Sequence, residues 1–160
     1  MNASRVPSPR RRAPLRLVWL FLCGGLGLVG PTALPGAVTE RGPVRVDAEV
    51  TPTTVPIGDP VLLRLTVRAA PAVEVFMPAF GTALGQFDIA DFVPRESIAE
   101  NGDSVWTHTY RLYANRSGTH RIPALSIEFL DNRPGQRRTP ENEPTFEILT
   151  EPLSFTIESV

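Results

Sequence analysis

Proton transfer and metal ligation draw mostly on histidine, cysteine and paired carboxylates, and this 160-residue chain contains two His, one Cys and 17 Asp or Glu. His108 and His120 fall in different predicted strands without a carboxylate at ligand spacing, and Cys23 lies in an apolar N-terminal run. Structural roles are expected for both imidazoles. Asp131-Asn132 and Glu141-Asn142-Glu143 offer oxygens, but not in the Asp-x-Asp-x-Asp-Gly order of a calcium loop. The sequence has no Gly-x-Ser-x-Gly elbow and no glycine-rich phosphate loop, while Ser97, Ser104 and Ser117 sit in turn-like contexts where capping explains them. Acid pairs such as Glu96 with Asp103 arise by chance in a sandwich with so many carboxylates. The expectation is a domain that is not an enzyme and holds no metal or cofactor; a small hydrolase would need one of the two His to meet an acid in one cleft.

Binding chemistry is better represented. Trp106, Tyr110 and Tyr113 are close in sequence and would form a carbohydrate platform if all three were exposed in a row. Trp106 and Tyr110 share the face of Leu112, however, which places them in the core. Phe76, Met77 and Phe80, interrupted by Pro78 and followed by Gly81–Gly85, form an apolar cluster that either caps the end of the fold or presents a patch. Asp131–Thr150 is the longest irregular stretch, carrying Asp131, Arg137, Arg138, Glu141, Glu143 and Glu147 among prolines. A loop of that length either is solvated or contacts a partner.

Charge narrows the partners. All 16 basic residues are Arg, five of them within the first sixteen positions, and no acid precedes Glu40. From residue 38 onward 11 Arg face 17 acids, a net charge of −6, so the folded part has no field to gather a phosphate backbone and nucleic acid is not expected. Arg10, Arg11, Arg12 and Arg16 stand before an uncharged run from Leu17 to Val38. A basic flank before a short apolar stretch is an export signal. Four glycines and Pro31 weaken that stretch as a membrane span. Residues 1–37 are therefore read as a signal peptide or, if uncleaved, an N-terminal membrane anchor. Leu20-Phe21-Leu22-Cys23 lacks the small residue that a lipoprotein box wants before its Cys.

Positioning elements follow from period-two patterning. Residues 38–43 read as a linker containing Gly and Pro, after which Val44, Val46, Ala48 and Val50 alternate with Arg45, Asp47 and Glu49. Further β-rich runs are Val61–Arg68, Val73–Met77, Phe87–Phe92, Val105–Tyr113, Thr119–Leu130 and Leu153–Ile157, separated by Pro, Gly, Asn or Asp. Asn101-Gly102 marks a hairpin, and Pro123 a bend or bulge. No segment beyond the leader has helical periodicity. Residues 44–160 are expected to form an all-β, immunoglobulin-like antiparallel sandwich of seven or eight strands, with a closed barrel as the competing architecture.

The succession Val44–Pro52, Val55-Pro56-Ile57-Gly58-Asp59-Pro60-Val61-Leu62-Leu63, Tyr110-Arg111-Leu112, Gly118, Ile122-Pro123, Ile127-Glu128-Phe129 and Thr150–Ile157 resembles the N-terminal immunoglobulin-like domains of BatD-type oxygen-tolerance proteins. The resemblance covers residues 44–157. It implies an exported, non-catalytic interaction module in the bacterial periplasm or on the outer face of the cytoplasmic membrane, with envelope proteins bearing von Willebrand A domains among its partners and no cofactor. Two departures stand out. The sequence stops at Val160, without further sandwich domains or a C-terminal span, and Pro140–Leu149 reads as an insertion before the closing strand.

Overall fold

A computed structural model of the chain describes residues 36–135 and 145–160. Eleven strands run in chain order: β1 (Gly36–Arg41), β2 (Val44–Thr51), β3 (Thr54–Pro56), β4 (Val61–Ala69), β5 (Val73–Phe76), β6 (Asp88–Ile98), β7 (Ser104–Tyr113), β8 (Gly118–Ile122), β9 (Ser126–Asp131), β10 (Phe146–Leu149) and β11 (Leu153–Glu158). Alternation dictates their burial. Val44, Val46, Ala48 and Val50 of β2 and Leu63, Leu65 and Val67 of β4 are fully buried, whereas Arg45, Arg64 and Arg68 between them are exposed. Among the described residues no helix is long and apolar enough to cross a membrane. Most of the expected leader, with Cys23, lies outside the described residues.

One layer is a five-stranded antiparallel sheet in the order β1-β2-β4-β7-β6. The other is built around a single long hairpin. Phe129 lies opposite Phe146 and Ile122 opposite Leu153, which is one continuous register, so β8 runs on into β9 and β10 into β11. That register places Pro123 opposite Pro152. Both strands break at these prolines and resume with the opposite parity, Ile122 and Leu153 being buried on one side and Leu125, Ile127 and Ile148 on the other. Thr150 repairs the gap: its N–H donates to the Leu125 carbonyl at 3.0 Å, and its Oγ1 accepts from the Leu125 N–H at 2.9 Å. It is the one buried polar residue among those described. The parallel strand β3 completes one side of this layer against β11, and β5 the other side against β9.

The two layers enclose a shared core to which β2, β4 and β7 contribute from one side and Ile127, Phe129, Ile148, Phe155 and Ile157 from the other. Leu84 and Phe87, on the β5–β6 connection, close its end. The fold is thus the expected all-β, immunoglobulin-like sandwich, with unpaired edges at β1 and β6 where a closed barrel would have none.

Three segments differ from the sequence reading. Residues 38–43, expected as a linker, and Gly36 and Ala37, expected as the end of the leader, are edge strand and turn: β1 pairs with β2 from Gly36–Glu49 to Arg41–Val44, and Gly42-Pro43 is its two-residue connection. Gly42 takes φ +56°, as the first central residue of such a turn requires. The small and polar residues of β1 hid its periodicity. Likewise Phe146–Leu149, expected within an insertion, is strand β10, with Ile148 in the core. Finally, Pro94 does not interrupt β6, because an edge strand tolerates a missing donor. At the Asn101-Gly102 hairpin only Gly102 has positive φ, +88°, and Asn101 instead bonds Asp103 through its side chain at 2.7 Å.

Two substitutions test this architecture. Thr150→Val keeps the shape but strands the buried Leu125 N–H, and is expected to lower unfolding free energy by about 1–3 kcal/mol in urea titrations, with Thr150→Ser losing less. Ala72 sits at φ +63° in the Ala70–Val73 turn. Ala72→Gly relieves the left-handed strain there and is expected to raise stability by up to about 1 kcal/mol in the same assay.

Candidate functional site

The stretch Asp131–Thr150 leaves the sandwich at the end of β9 and returns at β10. Arg137, Arg138, Glu141 and Glu143 lie outside the described residues, whereas Asp131 and Glu147 are placed at the two ends. Asp131 is nearly buried and already engaged: Arg133 Nε donates to Oδ1 at 2.9 Å, Nη2 to Oδ2 at 2.8 Å, and the Arg133 N–H to Oδ1 at 3.1 Å. This fork holds the carboxyl below the usual carboxylate range, chiefly through the Arg133 side-chain bond. Asp131 therefore shapes the loop's exit instead of offering a free charge. Glu147 is exposed and accepts from Ser126 Oγ at 2.5 Å, and its backbone carbonyl is taken by Arg41 Nη1.

Between these ends lies an open cleft of about 200 Å³ lined by Arg41, Pro43, Phe129, Asp131, Arg133 and Phe146. The Phe129 and Phe146 rings stack at 5.4 Å, and the Arg41 guanidinium lies 5.6 Å from the Phe146 centroid. Arg133 is committed to Asp131 and Arg41 Nη1 to the Glu147 carbonyl, so the cleft offers the stacked phenyl rings and the remaining guanidinium N–H groups, which suits an aromatic side chain with one acceptor. Sequence reading found Asp131 and Glu147 but missed Arg41, since β1 was taken for a linker, and the pairing of Phe129 with Phe146, since β10 was taken for an insertion.

Phe76, Met77 and Phe80 do not act as one patch. On β5, Val73 and Val75 turn inward, which leaves Phe76 (43% exposed) on the outer face opposite Glu128. Met77 packs partly against the core. Phe80 is 61% exposed yet sits edge-on to Phe92 at 5.1 Å and 6.2 Å from Tyr110, so it covers the open side of the sandwich while exposing its other face. Phe92 extends this aromatic chain to His108 at 5.0 Å. The signal for Phe92 was its place opposite Tyr110, legible only once β6 is one strand.

The aromatic platform is overturned. Tyr110 is 2% exposed, Trp106 packs partly against the core, and Tyr113 points to the opposite face of β7, so the three rings form no exposed row. The two imidazoles are set among rings and backbone. His108 contacts Phe92 and lies 3.5 Å from the Tyr110 hydroxyl, and burial lowers its affinity for a proton. His120 stacks on Phe155 at 5.5 Å and meets the Arg116 carbonyl at 2.8 Å. Among the described residues no group of three His, Cys, Asp or Glu comes together that could hold a metal ion.

The Asp131 fork gives a pH-dependent prediction. A carboxyl whose folded pKa is depressed stabilises the fold above its unfolded pKa, and that contribution is lost as pH falls through the depressed value. Asp131→Asn is therefore expected to be less stable than the parent near neutral pH, and the difference should close as pH falls below the ordinary carboxylate range. Urea midpoints of both proteins across that range measure it; a pH-independent difference would mean that the fork acts by packing alone.

A family model described as the BatD DUF11 like domain matches residues 48–157, from the middle of β2 to the penultimate residue of β11. No curated protein and no solved structure matches the chain. The matched region holds β3 through β10 whole, both halves of the interrupted hairpin and the Pro123–Pro152 break, and the chain belongs to the BatD family.

Proposed function

We propose that this domain is a non-catalytic protein-interaction module of the bacterial cell envelope, delivered by its N-terminal leader to the periplasm or to the outer face of the cytoplasmic membrane. Membership of the BatD family over residues 48–157 carries the reading. The basic flank and apolar run of residues 10–38 support export, and a sandwich with a net charge of −6 from residue 38 suits a protein partner better than a nucleic acid. If the leader is not cleaved, it ties the domain to the membrane.

The partner surface we assign is the cleft between Arg41, Arg133 and the stacked Phe129 and Phe146, with residues 136–144, which follow in the sequence, as the second candidate element. The stacked rings supply apolar area and the guanidinium N–H groups not engaged by Asp131 and Glu147 supply donors, which fits a partner loop with an aromatic anchor. Envelope proteins with von Willebrand A domains are the partner class.

Replacing residues 136–144 with a short Gly-Ser linker tests this, because the deletion stops short of β10 and spares Ile148 in the core. The tagged full chain is expected to retain a von Willebrand A protein from solubilised membranes, and the shortened chain, together with Arg133→Ala, to lose most of it. Equal recovery from all three would reject this surface, and no such protein in any of them would reject the interaction module.

A further inference from the structure

A sandwich exposes strand edges, each a row of backbone donors and acceptors open to another chain. Most edges of this one are interrupted or short. On β6 the Phe92 N–H is capped by Asp91 Oδ1 at 2.9 Å, and Pro94, two residues on and pointing the same way, has no N–H. On β8 the Arg121 carbonyl accepts from Gln86 Nε2, and on β10 the Glu147 carbonyl accepts from Arg41. β3 and β5 are only three and four residues long. Among the described residues no side chain caps the backbone of β1, which is six residues long and contains no proline.

The geometry of β1 selects what pairs with it. Arg41 and Val44 close a two-residue turn, and the closing pair of such a hairpin exchanges hydrogen bonds, so Ala37, Thr39 and Arg41 face β2 while Gly36, Val38 and Glu40 turn their N–H and C=O to the open edge. These three positions are symmetric about Val38. Val38 is also the exposed large apolar residue of the strand, at 48%. We propose that a second copy of this chain pairs antiparallel along β1, with the twofold axis at Val38.

In that register Val38 meets Val38 of the other copy, each Glu40 lies opposite Gly36, and all three outward residues of each strand are hydrogen-bonded. Gly36 suits the position twice over. It adds no side chain beside the incoming Glu40, and a Cβ there would already meet Glu49 Cβ at 3.3 Å. Glu40 keeps its own partner, Arg45, at 2.7 Å. Shifting the register by one pair sets Val38 against Glu40 and leaves an outward group of each copy unpaired. The two five-stranded sheets then join into one. This association is independent of the envelope partner, since it needs no other protein.

Disulfide trapping tests it in the full chain in detergent, with Cys23→Ser leaving a single engineered thiol. Residues facing across a hydrogen-bonded antiparallel pair have Cα atoms about 5.5 Å apart, within disulfide range. Val38→Cys is expected to give a covalent dimer under mild oxidation, several-fold more than Ile98→Cys, which is more exposed (76%) but lies at the end of β6, whose edge is interrupted at Phe92 and Pro94. Val38→Pro removes only an outward N–H and is expected to keep the circular-dichroism signal of the fold while shifting the sedimenting species from dimer to monomer. No excess of trapped dimer at Val38→Cys over Ile98→Cys, or a parent chain that sediments as a monomer throughout, would overturn the proposal.

Discussion

Two sheets can share one core only if each sends every second side chain to the same side, and the rest of this molecule follows from that constraint. Leu63, Leu65 and Val67 of β4 meet Ile127, Phe129, Phe155 and Ile157 of the other layer because the β4 residues between them are Arg64 and Thr66, which water solvates. A one-residue slip would bury Arg64 and Arg68 in place of three apolar side chains, so the register of β4 against β2 and β7 is strongly specified. Every ion pair at the surface, such as Arg64 with Glu49 at 2.9 Å, is a consequence of that phase and contributes little by itself.

The second layer shows how the same constraint survives a break in the backbone ladder. At the opposed prolines 123 and 152 both strands change phase by one residue: Ile122 and Leu153 face the core on one side of the break, and Leu125, Ile127 and Ile148 on the other, while the Cα partners stay in step because the two strands shift together. Thr150 satisfies the Leu125 amide that would otherwise be buried without a partner. A single hydroxyl therefore lets one hairpin span the whole layer. The loop between β9 and β10 is the far end of that hairpin, which is why the candidate cleft is framed by Phe129, Phe146 and the Asp131–Arg133 fork.

Strands with strong alternation were legible in the sequence, and those without it were not. β2, β4, β7 and β11 carry Val, Leu, Ile or aromatic residues at every second position, and their ranges agree with the pattern to within a residue or so. β1 alternates Ala37 and Thr39 with Val38 and Glu40, a contrast too weak to register, and its Gly42-Pro43 turn has the composition of a linker. β10 is four residues long and follows a stretch rich in proline and acids. Missing those two strands also hid the candidate cleft, since Arg41 comes from one and Phe146 from the other. The aromatic residues of β7 were assigned correctly to a core-facing set by parity alone, whereas the division between Phe76 and Phe80 depends on which face of β5 turns inward and could not be read before the pairing of β5 with β9 was known.

Edges tie the architecture to the proposed role. Under that role the sheets must be kept from pairing at random, and the side chains of Asp91, Gln86 and Arg41 on β6, β8 and β10 contribute to this. All of this rests on the alternation of inward and outward side chains. Single-cysteine variants along β4, from position 62 to position 68 in the Cys23→Ser chain, test it most directly when their thiol-labelling rates are measured in the native state. The account predicts fast labelling at 62, 64, 66 and 68 and strong protection at 63, 65 and 67. Uniform rates, or a repeat near 3.6 residues, would contradict it.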